Sequence, residues 1–157
     1  MHLDFAVVAD YALVDQAGKV SVLGIFQHIW VQQFPAMHPR LHLVLRLRGK
    51  RTEIGEHRVQ IRLADESGTE ILGGSGSITF AEPPAGVTEI EAPAILAFDV
   101  PFAHPGMYRF EISIDGERVG TFTLPGAGGR QAAPPPESES GDDPPEPPPA
   151  PRAPPAT

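Results

Sequence analysis

The chain has 157 residues, of which 19 are proline and none is cysteine, and its formal net charge is −8. This length fits one domain with a sizeable core, and the lack of cysteine excludes disulfides, thiolate nucleophiles and cysteine-ligated zinc. The acidic charge disfavours a general attraction to phosphate backbones or anionic lipid, so we expect neither nucleic acid nor membrane as a partner.

The composition changes sharply after Pro125. Eight of the prolines lie in residues 1–125 and eleven in residues 126–157. Residues 134–157 contain no aromatic residue, leucine, isoleucine or valine, so they cannot bury enough apolar surface to offset the entropy of ordering. We predict a folded domain over residues 1–125 and a disordered, acidic, proline-rich tail over residues 126–157.

The first ten residues carry Asp4 and Asp10 and lack both the basic region and the uninterrupted apolar stretch of a signal peptide. No later run is apolar for long enough to span a bilayer. The simplest expectation is a soluble cytoplasmic protein.

The N-terminal third predicts two strands and a loop. Residues 3–14 alternate with the period of two that a strand requires. After a turn at residues 15–18, residues 19–31 are rich in β-branched and aromatic side chains, and Gly24 indicates a bend within this second strand. Two prolines interrupt residues 32–40, which predicts a loop.

The central third predicts a strand and a hairpin. Residues 41–48 place four leucines on one face, and on the other, mostly solvated face they place His42, Val44, Arg46 and Arg48. A polar connection, residues 49–56, precedes a hairpin over residues 57–80 that turns at residues 65–68. The glycines of residues 73–76 indicate a sheet edge, a bulge or mobility.

The last third predicts a strand at residues 94–100, a turn at residues 102–106 and a hairpin over residues 107–124 that turns at Asp115-Gly116. A two-residue turn places Val119 opposite Ile112, whereas a bulged turn places Arg118 there. The register therefore decides which of these two side chains faces inward.

About eight strands, regular turn signals and no helical period predict an all-β fold. We expect an antiparallel β-sandwich, immunoglobulin-like or related.

The loop order predicts one candidate polar site. If consecutive strands are antiparallel, the loops that carry His38, Asp65, Glu66 and His104 fall at the same end of the sandwich. Imidazole and carboxylate suit divalent metals and proton transfer near neutral pH. No local ligand motif supports the site, so ordinary solvated loops are the favoured interpretation.

A basic row is a second candidate, because adjacent strands can gather its members on one solvent face. Such a row can bind an acidic partner, a phosphate or the acidic tail, although a solvated face that protects an edge is the favoured interpretation. The row consists of Arg46, Arg48, Lys50, Arg51, Arg58 and Arg62.

Aromatic residues give a third candidate. Trp30, with Phe26 and Phe34, can form a stacking platform for sugars or peptides, and the favoured interpretation is packing in the core and at its rim. The proline-rich tail can likewise dock into an aromatic groove of a partner, although a solubilising spacer is the simpler role.

Four segments carry a family resemblance: residues 9–12 (ADYA), 18–26 (GKVSVLGIF), 34–39 (FPAMHP) and 105–117 (PGMYRFEISIDGE). The chain resembles, over residues 5–125, a family of small bacterial proteins that is a domain of unknown function. The resemblance implies a compact, mainly β protein and supplies no substrate, cofactor or catalytic residue.

A complete strand pattern without a catalytic constellation favours a non-catalytic binding or scaffolding module, with another protein or a second copy as partner. We expect no catalytic residue and no cofactor. The first alternative is a small metal- or ligand-binding enzyme that uses the His38, His104, Asp65 and Glu66 end. The second is a carbohydrate-binding module around Trp30.

Overall fold

The computed structural model describes residues 1–128, and the predicted tail lies outside the described residues except for residues 126–128. Two sheets pack face to face as a sandwich, which confirms the predicted all-β fold. No helix in residues 1–128 is long and apolar enough to cross a membrane. The strands are β1 (His2–Val14), β2 (Val20–Phe26), β3 (Ile29–Val31), β4 (Ala36–Lys50), β5 (Gly55–Ala64), β6 (Glu70–Phe80), β7 (Glu89–Phe102), β8 (Gly106–Ile114) and β9 (Glu117–Gly128).

Within residues 1–128, one sheet has four strands in the order β2-β1-β4-β7, and the other has five in the order β3-β9-β8-β5-β6. All neighbouring strands are antiparallel except β3 and β9, which pair in parallel. A short 3-10 turn, Arg51–Glu53, carries the chain from β4 in one sheet to β5 in the other. The last strand continues to Gly128, three residues beyond the domain boundary predicted at Pro125.

The core fills the space between the sheets. The four leucines of β4 (Leu41, Leu43, Leu45 and Leu47) are fully buried there. Phe110 and Ile112 of β8 enter the same core from the five-stranded sheet. Burial of each such side chain contributes about 1.5–3 kcal/mol, so this layer supplies much of the driving force for folding.

Two predicted elements within residues 19–40 have different bounds in the structure. The stretch of residues 19–31 forms two strands, because the chain leaves the four-stranded sheet after Phe26 and joins the five-stranded sheet at Ile29. The predicted loop over residues 32–40 ends early, and β4 begins at Ala36. A register shift between His38 and Leu41 lets this strand contain Pro39 and still pair with β7.

Two strands that contain several prolines or glycines lie at sheet edges. The strand predicted at residues 94–100 is longer, Glu89–Phe102, and it tolerates Pro93 and Pro101 because β7 is an edge strand. The glycine-rich arm, β6, is also an edge strand, which confirms that interpretation of its composition.

The last hairpin has the predicted two-residue turn and a different register. Asp115 and Gly116 both have positive φ, 50° and 86°, as a tight hairpin turn requires. A bulge near Val119 then places Gly120 opposite Ile112, so both predicted pairings are wrong. Val119 packs against the core, whereas the Arg118 side chain is 61% exposed.

This turn is tied to β5 by charged groups. His57 Nδ1 lies 2.7 Å from Asp115 Oδ2, and His57 Nε2 lies 2.8 Å from the carbonyl oxygen of Glu53. The Arg58 backbone N–H donates to Asp115 Oδ1 at 2.9 Å. Hydrogen bonding to Asp115 raises the pKa of His57, and the same contact lowers the pKa of Asp115.

Candidate interaction surface

The strand β1 has an apolar stripe that faces away from the core. Ala6 and Val8 belong to the core side of β1, so alternation directs Val7, Ala9 and Tyr11 to the outside of the four-stranded sheet. A bulge between Leu3 and Phe5 sets this phase by changing the register with β4. Outer faces of antiparallel sandwiches are usually polar, so this stripe is unusual.

The neighbouring strands extend the stripe into a patch. Ala9 lies between Ile25 of β2 and His42 of β4, and Tyr11 lies beside Leu23 of β2. We call this patch the outer apolar face. Its members are Val7, Ala9, Tyr11, Leu13, Leu23, Ile25, His42, Val44, Ile95 and Ala97.

The centre of the outer apolar face is already shielded from solvent. Val44 is fully buried although it is not part of the core, because Val7 and Ile95 flank it on the adjacent strands. The sequence predicted a mostly solvated face here, and for Val44 and His42 that prediction is wrong. Side chains from three strands cover both positions.

His42 is the one buried polar residue among those the structure describes, at 6% exposure. The Tyr11 ring meets it edge-on, with centroids 5.5 Å apart. His42 Nδ1 has no hydrogen-bond partner within residues 1–128. The face therefore contains a buried polar atom that this fold leaves unsatisfied.

The rim of the outer apolar face is more exposed to solvent than its centre. Leu23 is 64% exposed, Ile25 58%, Tyr11 46% and Leu13 40%. These four side chains adjoin one another on β1 and β2. Contiguous exposed apolar groups are the usual mark of an interaction surface, whereas scattered ones are not.

The two arginines beside this face form ion pairs with carboxylates. Arg46 donates to Asp4 at 2.6 Å and lies 5.0 Å above the Phe5 ring. Arg48 lies 3.3 Å from Asp4 and 3.9 Å from Glu89. The hydrogen bond from Arg46 lowers the pKa of Asp4. Arg46 is therefore engaged by a hydrogen bond, and Arg48 is held between two carboxylates by ion pairing alone.

The predicted basic row does not form on one face, and that prediction is wrong. Arg46, Arg48 and Lys50 belong to β4 of the four-stranded sheet, whereas Arg58 and Arg62 belong to β5 of the five-stranded sheet. Arg51 lies in the 3-10 turn between them and pairs with Glu82 at 2.9 Å. Because the connection crosses between sheets, β4 and β5 are not neighbours.

Arg62 lines a polar groove of about 580 Å³ on the outside of the five-stranded sheet. It donates to Glu70 at 2.9 Å, to Glu111 at 3.0 Å and to the carbonyl oxygen of Gly68 at 2.8 Å. Hydrogen bonds to Glu111 and Glu70 raise the pKa of Arg62. With these three acceptors engaged, Arg62 ties β5, β6 and β8 together.

Three of the four residues predicted for the polar end come together. His104 Nε2 lies 3.4 Å from Asp65 Oδ2, and Glu66 Oε2 accepts from the Met107 backbone N–H at 3.4 Å. Asp65 Oδ1 also accepts from Ser67 and Thr69, and the Ser67 hydroxyl is the main cause of a lowered Asp65 pKa. These contacts order the loop between β5 and β6.

His38 is separate from that cluster. It lies in β4, opposite Val100, and its ring stacks on Phe26 at 5.3 Å between centroids. In residues 1–128 no group of three or more His, Asp or Glu side chains is positioned to hold a metal ion.

The three aromatic candidates also do not come together. Trp30 is 61% exposed in β3, with the His28 ring 6.4 Å away. Phe26 and Phe34 instead pack, partly buried, against the core. Trp30 therefore stands apart from the two phenylalanines that were predicted to join it.

The outer apolar face is absent from the sequence-based candidates, although a signal for it exists. Residues 5–9 (FAVVA) are apolar at both parities, a pattern typical of strands that are covered on both faces. The same residues lie where the structure places the centre of the face.

The family model of DUF6941, described as a family of unknown function, matches residues 4–125. The chain belongs to this family. No curated protein matches the sequence. A solved structure, the putative beta-galactosidase from Bacteroides fragilis, is similar at 12% identity and a TM-score of 0.36. The match covers 58% of this chain and 15% of that one.

Proposed function

We propose that this DUF6941 member is a non-catalytic binding or scaffolding module that contacts a protein partner, either another protein or a second copy, through its outer apolar face. One observation carries the proposal: the apolar stripe of β1 faces out of the sandwich and continues into the exposed Leu23 and Ile25. Burial of apolar surface is the main driving force of protein association, and this face offers it without loss of a buried charge.

The chemistry of the surroundings favours a protein over a polyanion. Arg46 and Arg48 are already paired with carboxylates, so a phosphate backbone would have to displace them. The net charge of −8 adds a general repulsion. We propose that neither nucleic acid nor membrane is the partner and that the protein acts in the cytoplasm.

Site-specific photo-cross-linking in the native host tests the proposal. A photoreactive phenylalanine analogue replaces Leu23 in one variant and Met107 in a control. Met107 is also exposed, at 45%, and lies in the five-stranded sheet. We expect defined adducts from position 23 and none of the same mass from position 107. Identical adduct patterns, or no adduct at position 23, would contradict the proposal.

An enzyme screen provides an independent test. Turnover of a hydrolase or lyase substrate that is lost in both His104→Ala and Asp65→Asn would contradict a non-catalytic role. Bound divalent metal at one equivalent, lost in the same variants, would contradict it as well.

A further inference from the structure

We propose that the partner of the outer apolar face is a second copy of this chain, related to the first by a two-fold axis. The inference rests on the proposed binding role and names the partner. It follows from the area of the face, the state of the nearest sheet edge and the distribution of charge.

The area of the face fits half of a small symmetric interface. The exposed parts of Tyr11, Leu13, Leu23 and Ile25 amount to on the order of 400 Å² of apolar surface, within the range of the largest patches on soluble monomers. Each partner in a standard interface contributes about 800 Å². The half-buried Phe5, Val7 and Ile95 and the polar rim adjoin these side chains and would add to the contact area.

The edge beside this face lacks the charged residues and prolines that keep sheet edges apart. Strand β2 has the sequence VSVLGIF, without charge or proline over seven residues. At the other edges, β7 carries Pro93, Pro101 and acidic residues, β3 has only three residues, and β6 is rich in glycine and serine. Exposed apolar edges without such protection associate with other strands, so we expect a partner to cover β2.

A second copy of the chain would cover both the outer apolar face and the β2 edge. An apolar patch is self-complementary because it requires no matching donors and acceptors, and two-fold dimers are the commonest assemblies. The net charge of −8 opposes contact between copies over most of the surface. The outer apolar face avoids that repulsion because its members carry no formal charge and Arg46 and Asp4 at its border neutralise each other.

Sedimentation equilibrium of the full-length chain tests the inference. We expect a dimer for the wild type and a monomer for Leu23→Lys/Ile25→Lys, since two unpaired ammonium groups from each chain at the contact raise the dimer Kd by at least about 100-fold. Met107→Lys introduces the same group on the other sheet and is expected to remain dimeric. Far-UV circular dichroism and the denaturant midpoint verify that each variant is folded.

Hydrogen exchange gives a second readout that needs no variant. Backbone amides of β2 are expected to gain protection as the protein concentration rises through the dimer Kd, whereas amides of the edge strand β6 are not. A wild type that stays monomeric at millimolar concentration, or a dimer that persists in Leu23→Lys/Ile25→Lys, would overturn the inference. If the chain is monomeric and the photoreactive residue at position 23 cross-links to a different protein, the dimer inference is overturned and the proposed function still stands.

Discussion

His57 lies between two acceptors, the Asp115 carboxylate and the Glu53 carbonyl oxygen, one at each ring nitrogen. A neutral imidazole has one N–H and can donate to only one of them, whereas the imidazolium donates to both. The geometry therefore favours the charged ring, in agreement with the raised pKa of His57. The hairpin that contains Asp115 is held to the β5 strand by a titratable contact.

The first prediction concerns stability against pH. The raised His57 pKa contributes stability that is complete below the unfolded value of about 6.5 and is lost as pH rises through the folded pKa. The lowered Asp115 pKa contributes stability that is present above about 3.9 and is lost as pH falls through its folded pKa. We expect the free energy of unfolding, measured with denaturant from pH 4 to 9, to fall above about pH 6.5.

His57→Gln removes this dependence, because glutamine does not titrate. Its unfolding free energy is expected to be flatter between pH 6 and 9 than that of the wild type. His28→Gln, at an exposed position outside the contact, is the control and should keep the wild-type slope. A wild-type slope in His57→Gln would show that another group causes the dependence.

The second prediction concerns the turn that His57 anchors. Gly116 has φ of +86°, and a Cβ at this position meets nothing within 4 Å. Gly116→Ala therefore changes only the backbone energy, and we expect a loss of about 1 kcal/mol in unfolding free energy. Gly76→Ala is the matched control, because its Cβ also meets nothing and its φ is ordinary. Equal losses in both variants would refute this explanation.

The third prediction concerns the unsatisfied atom in the outer apolar face. His42→Leu removes a buried Nδ1 that lacks a partner and keeps an apolar side chain against Tyr11. We expect the unfolding free energy to rise by about 1 kcal/mol. His38→Leu, where Nδ1 has Pro39 O at 3.2 Å, should bring no such gain. A less stable His42→Leu would mean that the imidazole has a stabilising contact.

The fourth prediction concerns a buried hydroxyl. Tyr108 is fully buried and donates to the backbone carbonyl of His104, a return contact of the kind found at tyrosine corners of sandwich domains. Tyr108→Phe is expected to cost about 1 kcal/mol in unfolding free energy. Phe110→Leu in the same strand is the comparison, because it changes the volume of the core and removes no hydroxyl. If Tyr108→Phe is as stable as the wild type, the hydroxyl has no net effect on stability.

Local patterns in the sequence predict the strands well, and the placement of the strands in sheets depends on longer-range contacts. The leucines of β4 alternate as predicted and reach the core, and the Asp115-Gly116 turn forms where its residues favour positive φ. The four residues between Lys50 and Gly55 lead to a strand in the other sheet, however, and no local residue distinguishes that crossing from a hairpin. The predicted basic row fails for this reason.

The predicted polar end and the outer apolar face also depend partly on local patterns and partly on longer-range contacts. Asp65 and His104 meet because the parity of the loops is correct at that end. His38 does not join them because a register shift keeps it within β4. The outer apolar face depends on a bulge near Asp4 that sets which parity of β1 points outward, and a one-residue shift of this kind has no reliable local signal.

The two outer surfaces of the sandwich differ in kind, one apolar and the other formed by polar side chains and ion pairs. Strand β9 ends at Gly128 in the five-stranded sheet. In a back-to-back pair joined through the four-stranded sheets, β9 of each chain would therefore lie on an outward side of the assembly. Such a pair would expose two identical polar surfaces to solvent and enclose both apolar surfaces at the contact.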